Sequence, residues 1–236
     1  MGHTRLGAIP KSRKWTSIVQ NLAGAAQGGT EGSSSGYLRE NVEDVAKDTL
    51  EAAQGGLNSA INDIGLRYTF YLLTQIALAS REDNWQERLS ALGIVLESDS
   101  SLLDHSGEMK SAIDTYLTAR NRVTDISEMA QRSAGEALVG LAENRATTLF
   151  GSDLEDVRLS IRDLSTKKGF SDLGQKFFGL FLTKFLNFYL SRITANQINT
   201  YNLPQIGDVT RFNDELRLHC NQTARIVRDF CGEWDS

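Results

Sequence analysis

The near absence of proline limits the fold of this chain more than any other feature of its sequence. Pro10 and Pro204 are the only prolines, so none interrupts the chain between them. Proline breaks helices because it lacks a backbone N–H and clashes with the preceding turn. Apolar residues recur at helical spacing across the same stretch, and no strong strand alternation occurs. The sequence therefore predicts an all-α protein, a single multi-helix array or bundle.

The first 36 residues differ in composition from the rest. Residues 1–20 hold four basic side chains and no acidic one, whereas the whole chain has 25 basic and 30 acidic residues. The remaining residues therefore carry 21 basic and 30 acidic side chains. Residues 24–36 are rich in glycine and serine, a composition that buries too little apolar surface to offset its ordering entropy. We predict an irregular basic arm and linker over residues 1–36 and a helical domain over residues 37–236.

Helix positions follow from apolar stripes and from capping boxes. In a capping box, two side chains three residues apart accept hydrogen bonds from backbone N–H groups of the first turn. Stripes predict helices over residues 38–57, interrupted at Gly55 and Gly56, and over residues 58–80, whose apolar run from Tyr68 to Ala79 is placed inside the core. Further helices are predicted over residues 126–148 and, after a cap at Asp208, near the end of the chain. The three predicted capping boxes are Asp83 with Gln86, Asp125 with Glu128, and Ser152 with Glu155.

The most hydrophobic segment, residues 170–193, has two interpretations. A membrane span needs about 20 apolar residues, but Lys176, Lys184 and Arg192 recur every eight residues here. At 100° per residue these three side chains lie close to one face of a helix. We therefore predict a central core helix with one solvent-facing stripe, and membrane insertion is the alternative.

Residues with catalytic or metal-binding potential are sparse. Residues 32–36 match G-x-S-x-G, but a nucleophile elbow needs a strand before its serine, and none is predicted. The sequence lacks the E-x-x-H, Walker A, G-x-G-x-x-G and EF-hand patterns. The three histidines are dispersed, and Cys220 and Cys231 are too far apart on one helix to form a disulfide. We predict reduced thiols, a cytoplasmic location, no enzymatic activity, and no catalytic, cofactor or metal site.

Two segments are candidates for partner binding. The basic arm combines cationic groups with an aromatic ring, which suits an acidic protein groove or a phosphate backbone. Trp234 is a large side chain of the kind that fills pockets, on a partner or on the chain's own core. The candidate partner-binding residues are Arg5, Lys11, Arg13, Lys14, Trp15 and Trp234.

The sequence thus favours a non-enzymatic helical adaptor or subunit of a larger protein assembly, which docks through its N-terminal arm or associates with itself. A nucleic-acid-associated accessory protein is the first alternative, although the acidic remainder of the chain would repel phosphates. A membrane-active effector, of a kind found in bacterial defence systems, is the second alternative.

Overall fold

The computed structural model describes residues 34–142, 154–197 and 206–228. In this part of the chain 84% of the residues are helical and no strand occurs, so the protein is all-α, as predicted. The helices are α1 (Ser34–Ala52), α2 (Gln54–Ile61), α3 (Ile64–Ala79), α4 (Trp85–Ala91), α5 (Leu102–Ala119), α6 (Asp125–Ala142), α7 (Leu154–Arg162), a 3-10 turn (Asp163–Ser165), α8 (Lys167–Gln197) and α9 (Ile206–Thr223).

Several predicted helix starts are wrong in detail. Helix α4 begins at Trp85, and its first turn has no side-chain cap, so the predicted Asp83 box does not form. Helix α6 is capped by Thr124 and Ser127 instead of the predicted Asp125 pair, because each hydroxyl accepts the other residue's backbone N–H at 2.9 Å. The Ser152 box and residues 143–148 of the predicted helix lie outside the described residues.

The predicted interruption at Gly55 and Gly56 is also displaced. Both glycines lie inside α2, and the break between α1 and α2 falls at Ala53. The backbone bonds nevertheless continue through this break, from Ala53 N–H to the Thr49 carbonyl and from Leu57 N–H to the Ala53 carbonyl. Helix α1 begins at Ser34, inside the segment predicted as a linker.

The described residues form two compact units. Residues 62–142, 154–181 and 224–228 form the first, and residues 34–61, 182–197 and 206–223 form the second. Helix α8 contributes residues to both units.

Helices α3 and α6 form a close pair in the first unit. A Cβ atom added to Gly65 of α3 would lie 2.3 Å from the Cβ of Ser127 on α6 and 3.2 Å from Cδ1 of Leu117 on α5. Only glycine permits this approach, because any Cβ at residue 65 would overlap Ser127. Gly65 therefore brings the first turn of α3 against both α5 and α6.

A shared cap holds the starting ends of α3 and α6 together. The Asp63 carboxylate accepts the Leu66 backbone N–H at 2.9 Å with one oxygen and the Thr124 hydroxyl at 2.8 Å with the other. Helix N-termini carry partial positive charge. One carboxylate thus stabilises two helix starts that lie side by side.

The far end of α3 is tied to α7 by Arg158. Its guanidinium donates to the carbonyl oxygens of Ser80 at 3.4 Å and Glu82 at 3.3 Å, just after α3 ends. The same group pairs with the Glu155 carboxylate, which raises the pKa of Arg158. Arg158 therefore joins α7 to the turn that follows α3.

In the second unit, α1 packs against α9, and α2 contacts the second half of α8. Cys220 of α9 is buried as a free thiol, and burial raises its pKa to about 11. Cys220 therefore lies in the core of this unit. Cys231 lies outside the described residues.

Helix α8 contains the hydrophobic segment that the sequence analysis assigned to the core. Phe177, Phe181 and Phe185 are buried, as that assignment predicts, and Lys176 and Lys184 are half-buried. Within the described ranges, no helix combines the length and apolar character needed to cross a membrane.

Candidate interaction surface

Helix α3 presents an exposed apolar face. Ile64, Tyr71 and Leu78 follow one another at intervals of seven residues, close to two helical turns, and are 40%, 48% and 38% exposed. Residues at this spacing lie on one side of a helix. The prediction that residues 68–79 lie inside the core is therefore wrong for Tyr71 and Leu78. The run is apolar on both sides of the helix, but among the described residues neighbouring helices cover one side and leave Ile64, Tyr71 and Leu78 exposed.

Three side chains form a stack beside this face. The rings of Tyr68 on α3 and Tyr116 on α5 lie nearly parallel, with centroids 3.6 Å apart and an interplanar angle of 8°. The Arg120 guanidinium carbon lies 3.7 Å from the Tyr116 centroid. It must occupy the opposite face of that ring, because Tyr68 already covers the first. The order is therefore Tyr68, Tyr116, Arg120.

Local structure fixes the position of Arg120. It caps the C-terminus of α5, and its side chain donates to the Tyr116 carbonyl at 3.3 Å. Asn121 then adopts φ 51°, a left-handed conformation that asparagine tolerates better than most residues. A guanidinium at this position complements the negative end of the helix dipole and is attracted to the face of the tyrosine ring.

The neighbours of Tyr68 shift the pKa of its phenol. The pKa of Tyr68 is raised, chiefly by partial burial and also by the neighbouring phenols of Tyr116 and Tyr71, while Arg120 offsets part of the increase. Tyr71 completes the cluster, with its ring centroid 6.1 Å from that of Tyr68. We call Tyr68, Tyr71, Tyr116 and Arg120, with the exposed face of α3, the Tyr–Arg surface.

This arrangement is suited to binding. Arg120 is exposed, has no carboxylate partner among the described residues, and uses one N–H in its bond to Tyr116. A guanidinium has five N–H donors and a planar face, which suit a carboxylate and an aromatic ring respectively. The tyrosine rings add rigid contact area with little conformational entropy to lose.

None of the candidate partner-binding residues from the sequence can be compared with this surface. Arg5, Lys11, Arg13, Lys14, Trp15 and Trp234 all lie outside the described residues. Of the serines in the G-x-S-x-G match, Ser34 and Ser35 form the start of α1, and Ser33 lies outside.

The two described histidines, His105 and His219, belong to different units. His105 is buried on α5 and stacks on Trp85, with ring centroids 5.9 Å apart. His219 is half-buried on α9, where its ring nitrogen lies 3.5 Å from the Thr223 hydroxyl. Across residues 34–142, 154–197 and 206–228, no three His, Cys, Asp or Glu side chains are grouped so as to hold a metal ion.

Comparison with known proteins identifies no relative of this chain. The chain matches no family model, no curated protein and no solved structure.

The Tyr–Arg surface was not predicted from the sequence, although two features of the sequence point to it. Tyr116 and Arg120 are four residues apart, the spacing of neighbours on a helix. Ile64, Tyr71 and Leu78 repeat every seven residues. Neither signal shows that Tyr68 would meet Tyr116, since that contact depends on the close approach at Gly65.

Proposed function

We propose that this protein is a non-enzymatic helical adaptor or subunit that binds a protein partner through the Tyr–Arg surface. The observation that carries the proposal is the stack of the half-buried rings of Tyr68 and Tyr116 with the exposed Arg120, beside the exposed apolar face of α3. Tyrosine and arginine are enriched among the residues that dominate protein interfaces.

The fixed conformation of the Arg120 side chain in the stack favours binding. Fixing a flexible side chain at an interface costs about 0.5–1.5 kcal/mol. The Tyr116 ring and carbonyl already hold Arg120 in the free protein. Arg120 therefore loses little further conformational entropy when a partner binds.

The basic arm remains part of the proposal as a second contact, through Arg5, Lys11, Arg13, Lys14 and Trp15, in a cytoplasmic assembly. Nucleic acid is the second candidate partner, because bases stack on tyrosine and arginine. Protein is favoured over nucleic acid because residues 21–236 carry 30 acidic and 21 basic side chains, which would repel a phosphate backbone.

Co-purification from the native host tests this function. The full chain, an Arg120→Glu variant and an Arg132→Glu variant are each recovered under matched conditions, with light scattering to measure their masses. Arg132 is an exposed arginine on α6 and controls for the charge change. We expect a defined complex with the full chain and Arg132→Glu but not with Arg120→Glu. A complex that all three retain, or a monomer in every case, would contradict the proposal.

A further inference from the structure

A second aromatic cluster lies beside α3, in addition to the Tyr–Arg stack. Phe70 of α3 packs against three rings of α8, with ring centroids 5.1 Å from Phe178, 5.2 Å from Phe177 and 6.4 Å from Phe170. Phe177 is fully buried, whereas Phe70, Phe170 and Phe178 are half-buried. The last three side chains therefore remain partly exposed at the surface of the first unit.

The two aromatic clusters lie on either side of the exposed face of α3. At 100° per residue, Tyr68 and Phe70 are about 160° apart around the helix axis, and Tyr71 lies between them. Tyr68 belongs to the stack with Tyr116 and Arg120, and Phe70 belongs to the cluster on α8. The exposed face of α3 is thus a strip of apolar surface with aromatic rings on both sides.

The length and backbone of α3 limit what can cover this strip. Ile64 and Leu78 are 14 residues apart, about 21 Å along a helix axis. The backbone groups of α3 are bonded within the helix, so an extended chain has no strand edge to join. An extended segment would also place its own N–H and C=O groups on an apolar surface without partners. An α-helix satisfies these groups internally and therefore suits the strip better.

Arg120 adds a requirement for charge at one end of the strip. A Cβ atom added to Gly65 would lie 3.2 Å from Cδ1 of Leu117, so the end of α5 lies beside the first turn of α3. Arg120 follows that end and is exposed. Helix α3 contains no acidic residue, so the α3 of a second copy would not supply a carboxylate. A complementary partner needs one near Ile64.

We propose that the partner binds through an amphipathic α-helix of about four turns, whose apolar side lies along α3 between the two aromatic clusters and which presents a carboxylate to Arg120. This inference rests on the proposed function and specifies the form of the partner. Helices bound in this way place anchor side chains three, four or seven residues apart. The partner helix therefore advances along α3 residue for residue, with its acidic end beside Ile64.

Photo-crosslinking in the complex measures this register. The photoreactive residue p-benzoyl-phenylalanine replaces Ile64, Tyr71 or Leu78, one at a time, in the full chain. All three positions are exposed, so each can carry the probe without a change in the core. Mass spectrometry identifies the residue that each probe labels. The same probe in place of the exposed Arg132 on α6 is the matched control, and circular dichroism verifies that each variant is helical.

We expect the partner residues labelled from positions 64 and 78 to be about 14 residues apart, with the label from position 71 between them. An extended segment would cover the same distance with about six residues. Position 132 should label the partner at least about tenfold less, because it lies outside the interface.

The charge requirement is tested on the same complex. An Asp or Glu of the partner should lie within one turn of the residue labelled from position 64. Changing that acid to Arg should weaken binding at least about threefold, and Arg120→Glu should restore the affinity of that variant. A charge exchange that gives no recovery would overturn the proposal.

A separation of about six residues, or labels spread over unrelated segments, would also overturn it. Labels on a second copy or within the same chain would do the same and would identify the occupant. The proposed function fails in a different way. A complex that depends on Arg120 but shows the wrong spacing contradicts this inference alone, whereas the absence of any Arg120-dependent complex contradicts both.

Discussion

Gly56 lies on α2 where the Tyr189 hydroxyl of α8 occupies the space that a Cβ atom would need. An added Cβ would lie 2.2 Å from that oxygen and 3.4 Å from the Phe185 ring. Tyr189 is buried and packs edge-on against Phe185, so it has little room to move. Gly55, its neighbour, has no such contact within 4 Å.

Substitution of these two glycines should have different effects on stability. We expect Gly56→Ala to reduce the free energy of unfolding by about 1–3 kcal/mol through overpacking. Gly55→Ala should be neutral or should stabilise by about 0.5–1 kcal/mol, because alanine is the better helix former. Urea denaturation of both variants measures the difference. Equal effects at the two positions would show that Tyr189 does not restrict residue 56.

His105 is a second residue whose surroundings set a measurable property. Its Nδ1 lies 3.0 Å from the Ser101 carbonyl, so Nδ1–H is the donor and Nε2 has no proton. Nε2 is buried without a hydrogen-bond partner among the described residues. Burial lowers the pKa of His105, and the Ser101 bond and the Asp104 charge offset part of that decrease.

Stability should therefore fall in mildly acidic solution. The folded state disfavours the charged imidazole, whereas the unfolded chain binds its proton below about pH 6.5. The stabilisation is present above pH 6.5 and is lost as the pH falls towards the lowered pKa. We expect His105 to contribute at most about 2 kcal/mol of loss between pH 7 and pH 5.

The His105→Gln variant isolates this contribution in urea unfolding at the two pH values. Its loss of stability between pH 7 and pH 5 should be smaller than that of the native chain. Asp104 does not confuse the comparison. Hydrogen bonds from Ser101 lower the pKa of Asp104 from its ordinary value, so this carboxyl stays ionised at both pH values. The same loss in both proteins would contradict the assignment.

At the scale of the helices, the presence of a helix was easier to predict than the residue at which it begins. The apolar stripes identify α1, α3, α6, α8 and α9 because helical periodicity is a property of the sequence alone. The start of α6 was misplaced because Asp125, Thr124 and Ser127 are all competent capping residues. The choice among them depends on Asp63, 61 residues away along the chain.

The shared cap at Asp63 and Thr124 should appear as coupling between two helix starts. We expect Asp63→Ala and Thr124→Val each to cost about 1 kcal/mol. Because they remove the same hydrogen bond, the double variant should cost less than their sum by at least about 0.5 kcal/mol. Ser101→Ala, in the separate capping box of α5, should be additive with Asp63→Ala. Additivity in both pairs would mean that the two caps act independently.

At the scale of the whole molecule, the all-α class was predictable, but the Tyr–Arg surface was not. Composition and spacing identify helices, whereas the stack of Tyr68 on Tyr116 needs two helices brought together at Gly65. An exposed apolar face also resembles a core face in the sequence, since both consist of Ile, Tyr and Leu. The binding roles of Arg5, Lys11, Arg13, Lys14, Trp15 and Trp234 remain predictions.

The affinity of the co-purified partner for variants of the Tyr–Arg surface tests the central claim most directly. Residues at the centre of an interface contribute about 2 kcal/mol or more, so Arg120→Glu and Tyr71→Ser should each weaken binding by at least about tenfold. Arg132→Glu should change it less than about twofold, with circular dichroism confirming that all three variants remain helical. Unchanged affinity in Arg120→Glu and Tyr71→Ser would contradict the claim that this surface binds the partner.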